Sequence, residues 1–247
     1  MRSLIIYFIV FLSFSVNSQA ADAVDPLEEL NRKFYAFNFD VVDPLFLKPI
    51  AKTYDELSPQ FVKTIVDNFF SNLDDLPSAA NSLLQGKVSQ SIEFASRFLI
   101  NSSLGLAGIF DVATYLKIKG GEPEDFGQTL AVWGVESGPY LMLPLYGPST
   151  LRDAPSNFFD RLLDPFTYND NYEARVGLKA FNVVSMRAEM LGIDDLMSGD
   201  EYLFVRDIYL QTREYEIKDG ELDDAFGDFE DFEDFEDFED FEDFEDF

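Results

Sequence analysis

Cysteine and histidine are both missing from the 247 residues. Without cysteine there is no disulfide, no thiolate nucleophile and no cysteine-ligated metal. Without histidine the commonest general base and the commonest metal ligand are gone as well, so acid–base or triad chemistry would have to run on Asp, Glu, Lys, Tyr and Ser. Positive charge is also scarce, with 18 Lys and Arg against 47 Asp and Glu and a formal net charge of −29. Phosphate-backbone contacts need clustered cations, so nucleic acid is not an expected partner. Long apolar runs are absent too. The longest, Leu4 to Val16, falls short of the roughly 20 residues that a membrane-spanning helix needs.

What is present begins with an address. Arg2, the run Leu4 to Val16 and the small residues Ser18, Ala20, Ala21 and Ala23 read as a secretory signal peptide over residues 1–23. A main domain is expected over 24–222, followed by an acidic tail at 223–247. From Asp228 onward the tail is an Asp-Phe-Glu repeat with 13 acids and seven Phe. A Phe at every third position matches neither a helical nor a strand face, and the adjacent acids repel, so the repeat reads as disordered. The rest of the charge is uneven. Residues 25–120 carry 9 basic and 12 acidic residues, net −3, whereas 121–227 carry 8 and 21, net −13. The first half is therefore the better candidate for lying in lipid and the second for facing water or a basic partner.

The body of the chain reads as helix after helix. Asp25-Pro26-Leu27-Glu28 is a capping sequence, and Leu27, Leu30, Phe34, Phe37 and Val41 then share one face that Tyr35 and Phe39 widen. Asp43-Pro44 should end this helix. Its aromatic face fits either internal packing or a membrane interface. Ser58-Pro59 starts a second helix through Phe61, Ile65, Phe69 and Phe70. Asp74-Asp75 starts a third, which stops at Gly86. Within these, Asn72 and Asn81 read as caps or core amides. A further helix spans Ser89 to Asn101, and Leu104 to Phe110 is a small-residue apolar turn whose glycines allow close approach. Asn101-Ser102-Ser103 also has the form of a glycosylation acceptor. Helices at Asp125, at Asp153 to Pro165, at Tyr172 to Leu191 and at Asp200 to Lys218 complete the pattern. No useful alternating strand pattern occurs, which predicts an all-α single domain.

The stretch FGQTLAVWGVESGPYLMLPLYGPSTLRD, Phe126 to Asp153, is the centre of the chain. Gly138-Pro139 and Gly147-Pro148 should turn the backbone twice and fold the segment into a hairpin. Between them Tyr140, Leu141, Met142, Leu143, Leu145 and Tyr146 are far too apolar for a solvated loop. The segment is either buried in the protein's own core or lines a path for an apolar ligand.

This stretch, with NFFSNLDDLPSAANSLLQG (Asn68 to Gly86) and RFLINSSLGLAGIFDVA (Arg97 to Ala113), resembles the MlaA/VacJ family of outer-membrane phospholipid-transport lipoproteins, from about Asp25 to about Gly220. The resemblance implies a ring-like bundle of amphipathic helices in the inner leaflet of the outer membrane, on its periplasmic face. It also implies an amphipathic channel that removes mislocalised phospholipid from the outer leaflet and passes it to a soluble periplasmic carrier, beside a porin trimer. Implied channel or hairpin residues are Val135, Gly138, Tyr140, Met142, Leu143, Pro144, Tyr146 and Gly147, with the two glycines as hinges. Membrane-facing candidates are Phe34, Phe37, Phe39, Phe69 and Phe70. Arg206, Asp207, Tyr209 and Arg213 also resemble the family, and Arg152, Arg206 and Arg213 are the candidate phosphate groups. The last two lie seven apart on one helical face, where they could pair with Asp153 or hold a phosphate, and a solvated surface with local ion pairs is the plainer account of them. No cofactor, no metal and no enzyme activity are implied. The family's lipid-modified cysteine has no counterpart in these residues, which bears on anchoring and not on the fold.

Two other readings stay open at this stage. One is a membrane-interface scaffold that associates with porins and moves no lipid. The other is a hydrolase working through paired carboxylates, Glu122 with Glu124 or Asp74 with Asp75, although caps explain those pairs more simply.

Overall fold

A computed structural model describes residues 25–195 and 199–220. The signal peptide and the Asp-Phe-Glu tail lie outside the described residues, as do the domain boundaries expected at either end. Helix α1, Glu28–Tyr35, runs without a break into a π-helical stretch, Ala36–Leu47, and then into α2, Lys48–Leu57. Next come α3, Gln60–Leu84, α4, Val88–Ser103, the short α5, Val112–Tyr115, and α6, Phe126–Val132. The strands β1, Tyr140–Leu143, and β2, Gly147–Thr150, pair antiparallel with Tyr140 opposite Thr150 and Leu143 opposite Gly147. After them come α7, Asp153–Leu163, α8, Tyr172–Glu189, and α9, Glu201–Ile217, with 3₁₀ turns at Pro165–Tyr168 and Met190–Asp195. Among the described residues the fold is all-α apart from this hairpin. No helix among the described residues is long and apolar enough to cross a membrane.

Two expected helix boundaries are not boundaries. The first helix continues through Pro44, and the helices expected to start at Ser58-Pro59 and at Asp74-Asp75 are one, α3, which also continues through Pro77. Proline removes one N–H and clashes with the carbonyl four residues back. The wider i→i+5 winding around Pro44 displaces that carbonyl, and Asp43 beside it is fixed from α8 by a two-pronged Arg187 pair at 2.8 and 3.0 Å. At Pro77 the single lost bond is outweighed by the buried residues on either side, Asn72, Asp75, Ser78, Ala79, Asn81 and Ser82. The N-terminal cap also differs. The helix starts at Glu28, while the Asp25 carboxylate accepts from Asn31 at 2.8 Å and from the Tyr202 hydroxyl. Gly86, with φ +83°, ends α3 as its sequence predicts.

The elements pack in a closed circuit. α1 lies on β1, β2 on α9, α9 on α6, α6 on α3, α3 on α8 and α8 on α2, which is covalently continuous with α1. α4 runs along the outside of α3 and α7 braces α6 and β2. The turn after α4 is tight because Gly108, at φ +90°, would place a Cβ 2.7 Å from Asn72. Asn101 is buried, donating to Asp111 at 3.0 Å and accepting from the Ala113 amide at 2.9 Å, so its glycosylation-like sequence serves the fold.

Burial is inverted relative to a water-soluble domain. Among the described residues, apart from alanines, Phe94 and Leu130, the buried apolar side chains are one cluster, Tyr35, Tyr140, Met142 and Tyr202, whereas Asn31, Asn72, Asp75, Asn81, Glu124, Gln128, Thr129, Arg152 and Asp153 are all buried. Large apolar residues meanwhile face outward on α2, α3, α4 and the turns beyond, among them Leu57 (75% exposed), Phe61, Leu99, Leu106 and Tyr115 (85%). Buried polar groups and a large exposed apolar surface are the informative departures from the soluble pattern.

Candidate functional site: the hairpin and its charged cleft

The hairpin is built from three left-handed backbone positions, Gly138 at φ +65°, Leu145 at φ +65° and Gly147 at φ +85°. A Cβ at Gly147 would meet open space, whereas one at Gly138 would sit 3.1 Å from Leu151. Strand alternation turns Tyr140 and Met142 inward, with the Tyr140 ring edge-on to Tyr202 at 6.2 Å and to Tyr209 at 6.1 Å. Leu143 is half-buried, and Pro144, Leu145 and Tyr146 form an exposed apolar tip. The Arg161 guanidinium of α7 lies 5.3 Å from the Tyr146 ring centre.

Two asparagines tie the hairpin to the first helix. Asn31 donates to the Tyr140 carbonyl at 3.0 Å and accepts from the Met142 amide at 2.9 Å. Asn38, two turns on, donates to the Leu143 carbonyl and accepts from the Leu145 amide, both at 2.8 Å. Sequence reasoning passed over both residues. Their signal was an amide beside an otherwise apolar face.

Beneath the hairpin lies a cleft of about 290 Å³. Leu143, Tyr146 and Pro148 give it an apolar wall, and Asp125, Asp153, Tyr209, Thr212, Arg213 and Glu216 a polar one. Arg213 of α9 anchors the polar wall, donating to both oxygens of Asp125 at 2.6 Å, to Asp153 at 3.2 and 3.3 Å and to Glu216 at 3.0 Å. Arg152 grips the same Asp153 at 2.8 and 3.3 Å, and Tyr209 donates to it at 3.0 Å. Burial alone would raise the Asp153 carboxyl, but the two guanidiniums hold it down to about 2. Burial disfavours the Arg213 charge, yet Asp125 and Asp153 leave it more basic than a free arginine. Gly127 makes the close approach possible, since a Cβ there would lie 2.4 Å from both Arg213 and Asp153.

The candidate phosphate groups are therefore placed differently from one another. Arg152 and Arg213 are buried and already paired, so for Arg213 the solvated-surface account is wrong. Its partners come from distant parts of the chain. Arg206 is half-buried, is not among the residues that line the cleft and pairs with the neighbouring Asp207. Val135 contributes its carbonyl, 3.5 Å from Arg152. Of the aromatic candidates, Phe37 is exposed, Phe34 and Phe39 pack on the tyrosine cluster, and Phe69 and Phe70 are half-buried near Phe166 and Phe181.

The carboxylate pairs are structural in their geometry. Glu124 is buried and accepts from Lys87, Gln85 and Gln90, while Glu122 is exposed. Burial raises Asp75 to about 7 in spite of Arg97, whereas Asp74 beside it is exposed.

The MlaA lipoprotein family model matches residues 23–216. Among curated proteins, the intermembrane phospholipid transport system lipoprotein MlaA of Shigella flexneri is 37% identical over 202 residues, covering 80% of each chain. The protein of the same name from Escherichia coli K12 is 36% identical, again over 80% of each. A solved chain described under "Structural basis for maintenance of bacterial outer membrane lipid asymmetry" superposes with a TM-score of 0.71 at 36% identity, covering 78% of this chain and 98% of that one. With the three motifs, the helical circuit and the hairpin all falling inside the matched residues, the chain belongs to the MlaA lipoprotein family.

Proposed function

We propose that this protein is the outer-membrane component of a phospholipid transport system that takes mislocalised phospholipid from the outer leaflet and passes it to a soluble periplasmic carrier. The observation that carries this reading is the inverted burial. An apolar exterior suits one leaflet of a bilayer, and each exposed Phe or Leu that enters acyl chains contributes about 2–3 kcal/mol. The interior is polar, and its cleft pairs an apolar wall with a charged one. A phospholipid has the same division, so its headgroup follows the polar wall while its chains follow Leu143, Tyr146 and Pro148. The names of the relatives support the same assignment. Passage needs no covalent step. Docking beside a trimeric porin and hand-off to the carrier complete the reading.

The test is transfer of labelled phospholipid from membranes containing the protein to a soluble acceptor, for wild type and for a Gly138→Val, Gly147→Val variant. Valine is strained at both left-handed positions, so the hairpin stiffens or shifts. Transfer by wild type that is lost in a folded, membrane-bound variant supports a path under the hairpin. If neither protein moves lipid and neither purifies with bound phospholipid, the protein is a membrane-interface scaffold.

A further inference from the structure

A chain with a net charge of −29 should be repelled by an anionic surface. At physiological ionic strength, however, a charge is felt over only about 8–10 Å, so the docking segment decides and not the total. One segment has the opposite sign. Residues 94–121, between Glu93 and Glu122, hold three basic side chains, Arg97, Lys117 and Lys119, and a single acid, Asp111. That acid is engaged within the fold, accepting from Arg97 at 3.1 Å, from Asn101 at 3.0 Å and from the Thr114 hydroxyl and amide at 2.6 and 3.0 Å. Burial opposes its charge, yet these bonds hold the carboxyl down to about 2. Arg97 also donates to the Thr114 hydroxyl at 2.9 Å and the Ile118 carbonyl at 3.2 Å, which fixes the loop. Lys117 and Lys119 are exposed, and neither has an ion pair among the described residues.

The same segment exposes Leu104, Leu106, Phe110, Tyr115 and Leu116, each between 52% and 85%. It also carries backbone strain. Among the described residues, three of the five non-glycine positions with left-handed backbone fall here, Leu106 at φ +53°, Ala107 at φ +60° and Lys117 at φ +61°. Lys117 closes α5, its amide donating to the Thr114 carbonyl at 2.9 Å while the Ile118 amide donates to Ala113 at 3.0 Å. Glycine is the usual residue at such a cap because it has no Cβ to strain. An exposed lysine there gains nothing from packing, and strain of this kind collects at binding positions. Lysine also suits an interface, since its methylene stem lies along apolar surface while the ammonium stays among polar groups.

We propose that residues 104–119 form a docking surface for anionic phospholipid, with Leu104, Leu106, Phe110 and Tyr115 entering the acyl chains and Lys117 and Lys119 pairing with headgroup phosphates at the rim. The surface is separate from the cleft under the hairpin, none of whose lining residues it contains. It rests on the membrane placement given above and not on lipid transport, so it serves a transporter and a scaffold alike.

The experiment floats the full chain, diluted from detergent, with vesicles of phosphatidylcholine alone and of three parts phosphatidylcholine to one part phosphatidylglycerol. Each lysine at an anionic surface raises partitioning by about fivefold. Lys117→Gln with Lys119→Gln should therefore bind the anionic vesicles about 25-fold more weakly and the neutral ones as wild type does. In about 1 M NaCl, where the screening length falls to about 3 Å, the two proteins should bind alike. Lys33→Gln with Lys179→Gln removes the same charge from α1 and α8 and should bind as wild type. Lys117→Gly relieves the left-handed cap, so it should unfold at a higher urea concentration yet bind anionic vesicles about fivefold more weakly. Wild type that binds both vesicles equally docks by apolar contact alone, and the proposal falls. It falls too if the Lys33 and Lys179 variant loses as much, or if the Lys117 and Lys119 variant loses nothing, which leaves the loop to a protein partner. Wild type that floats with neither vesicle overturns the membrane placement as well, whereas a failure of lipid transfer alone leaves the docking surface standing.

Discussion

Replacing Arg213 with methionine removes the cation that joins α6, α7 and α9 while keeping most of the side-chain volume. Breaking a buried ion pair by deleting one partner costs about 3–5 kcal/mol, because the other partner stays behind in a poorly solvated site. Here the lower end applies. Asp153 keeps Arg152 at 2.8 Å, and the Asp125 side chain is 39% exposed and can rehydrate. The expected loss is therefore about 3 kcal/mol, read by urea unfolding in detergent micelles at pH 7. The pH dependence gives a second reading. In the folded protein Asp153 sits near 2, below its ordinary value of 3.8. A depressed carboxyl contributes stability above its unfolded pKa, and that stability is lost as pH falls through the folded value. That depression corresponds to about 2.5 kcal/mol, disappearing between roughly pH 4 and pH 2. In Arg213→Met this acid-side loss should shrink, since part of it is already gone at neutral pH. A loss under about 1 kcal/mol, the range of an exposed pair, with an unchanged acid limb, would refute the claim that Arg213 joins these elements.

Other consequences follow from the same geometry. Asp75 is raised to about 7, mainly by burial, and its Oδ2 and Asn72 Oδ1 are buried with no hydrogen-bond partner among the described residues. A raised carboxyl favours folding in its protonated form, and that contribution is lost as pH rises through 7. Asp75→Asn should therefore raise the unfolding midpoint at pH 8, less at pH 5 and hardly at all near pH 3, below the ordinary carboxyl value of 3.8, and a variant less stable than wild type at pH 8 contradicts this. Gly108→Ala and Gly134→Ala both put a Cβ at a left-handed position, but only Gly108 would meet Asn72, Gly134 facing open space. The first should cost about 2–4 kcal/mol and the second about 1 in chemical unfolding, and equal losses would show that the turn yields. Leu57→Asp with Phe61→Asp places charge on the outward apolar face and should weaken vesicle flotation while leaving the helical circular dichroism unchanged. Undiminished flotation would put that face in water.

Much of this fold is legible in local sequence because its signals are local. Ser58-Pro59 opens α3, Gly86 closes it, and the paired glycines 138 and 147 bracket the hairpin, each through backbone preferences that act within a few residues. What escaped depends on partners far along the chain. Helix continuity at Asp43-Pro44 is supported by Arg187, which pairs with Asp43 across 144 residues. The burial of Arg213 follows from Asp125 and Asp153, 88 and 60 residues before it. Asn31 meets β1 across 109 residues. Periodicity locates an apolar face but does not say whether lipid or protein covers it. For that reason Phe39 and Phe37, two residues apart, fall on different sides of the question, Phe39 stacking on Tyr35 at 4.6 Å and Phe37 facing outward.

The central claim, that phospholipid travels beneath the hairpin along the charged wall, is tested most directly by photo-crosslinking from Thr212. This residue lines the cleft on α9, whereas Tyr115 lies on the outward apolar surface. With a photoreactive residue at each position in bacterial outer membranes, the account predicts phospholipid adducts at both sites. Adducts at Tyr115 alone, with Thr212 unmodified in a folded protein, would contradict it.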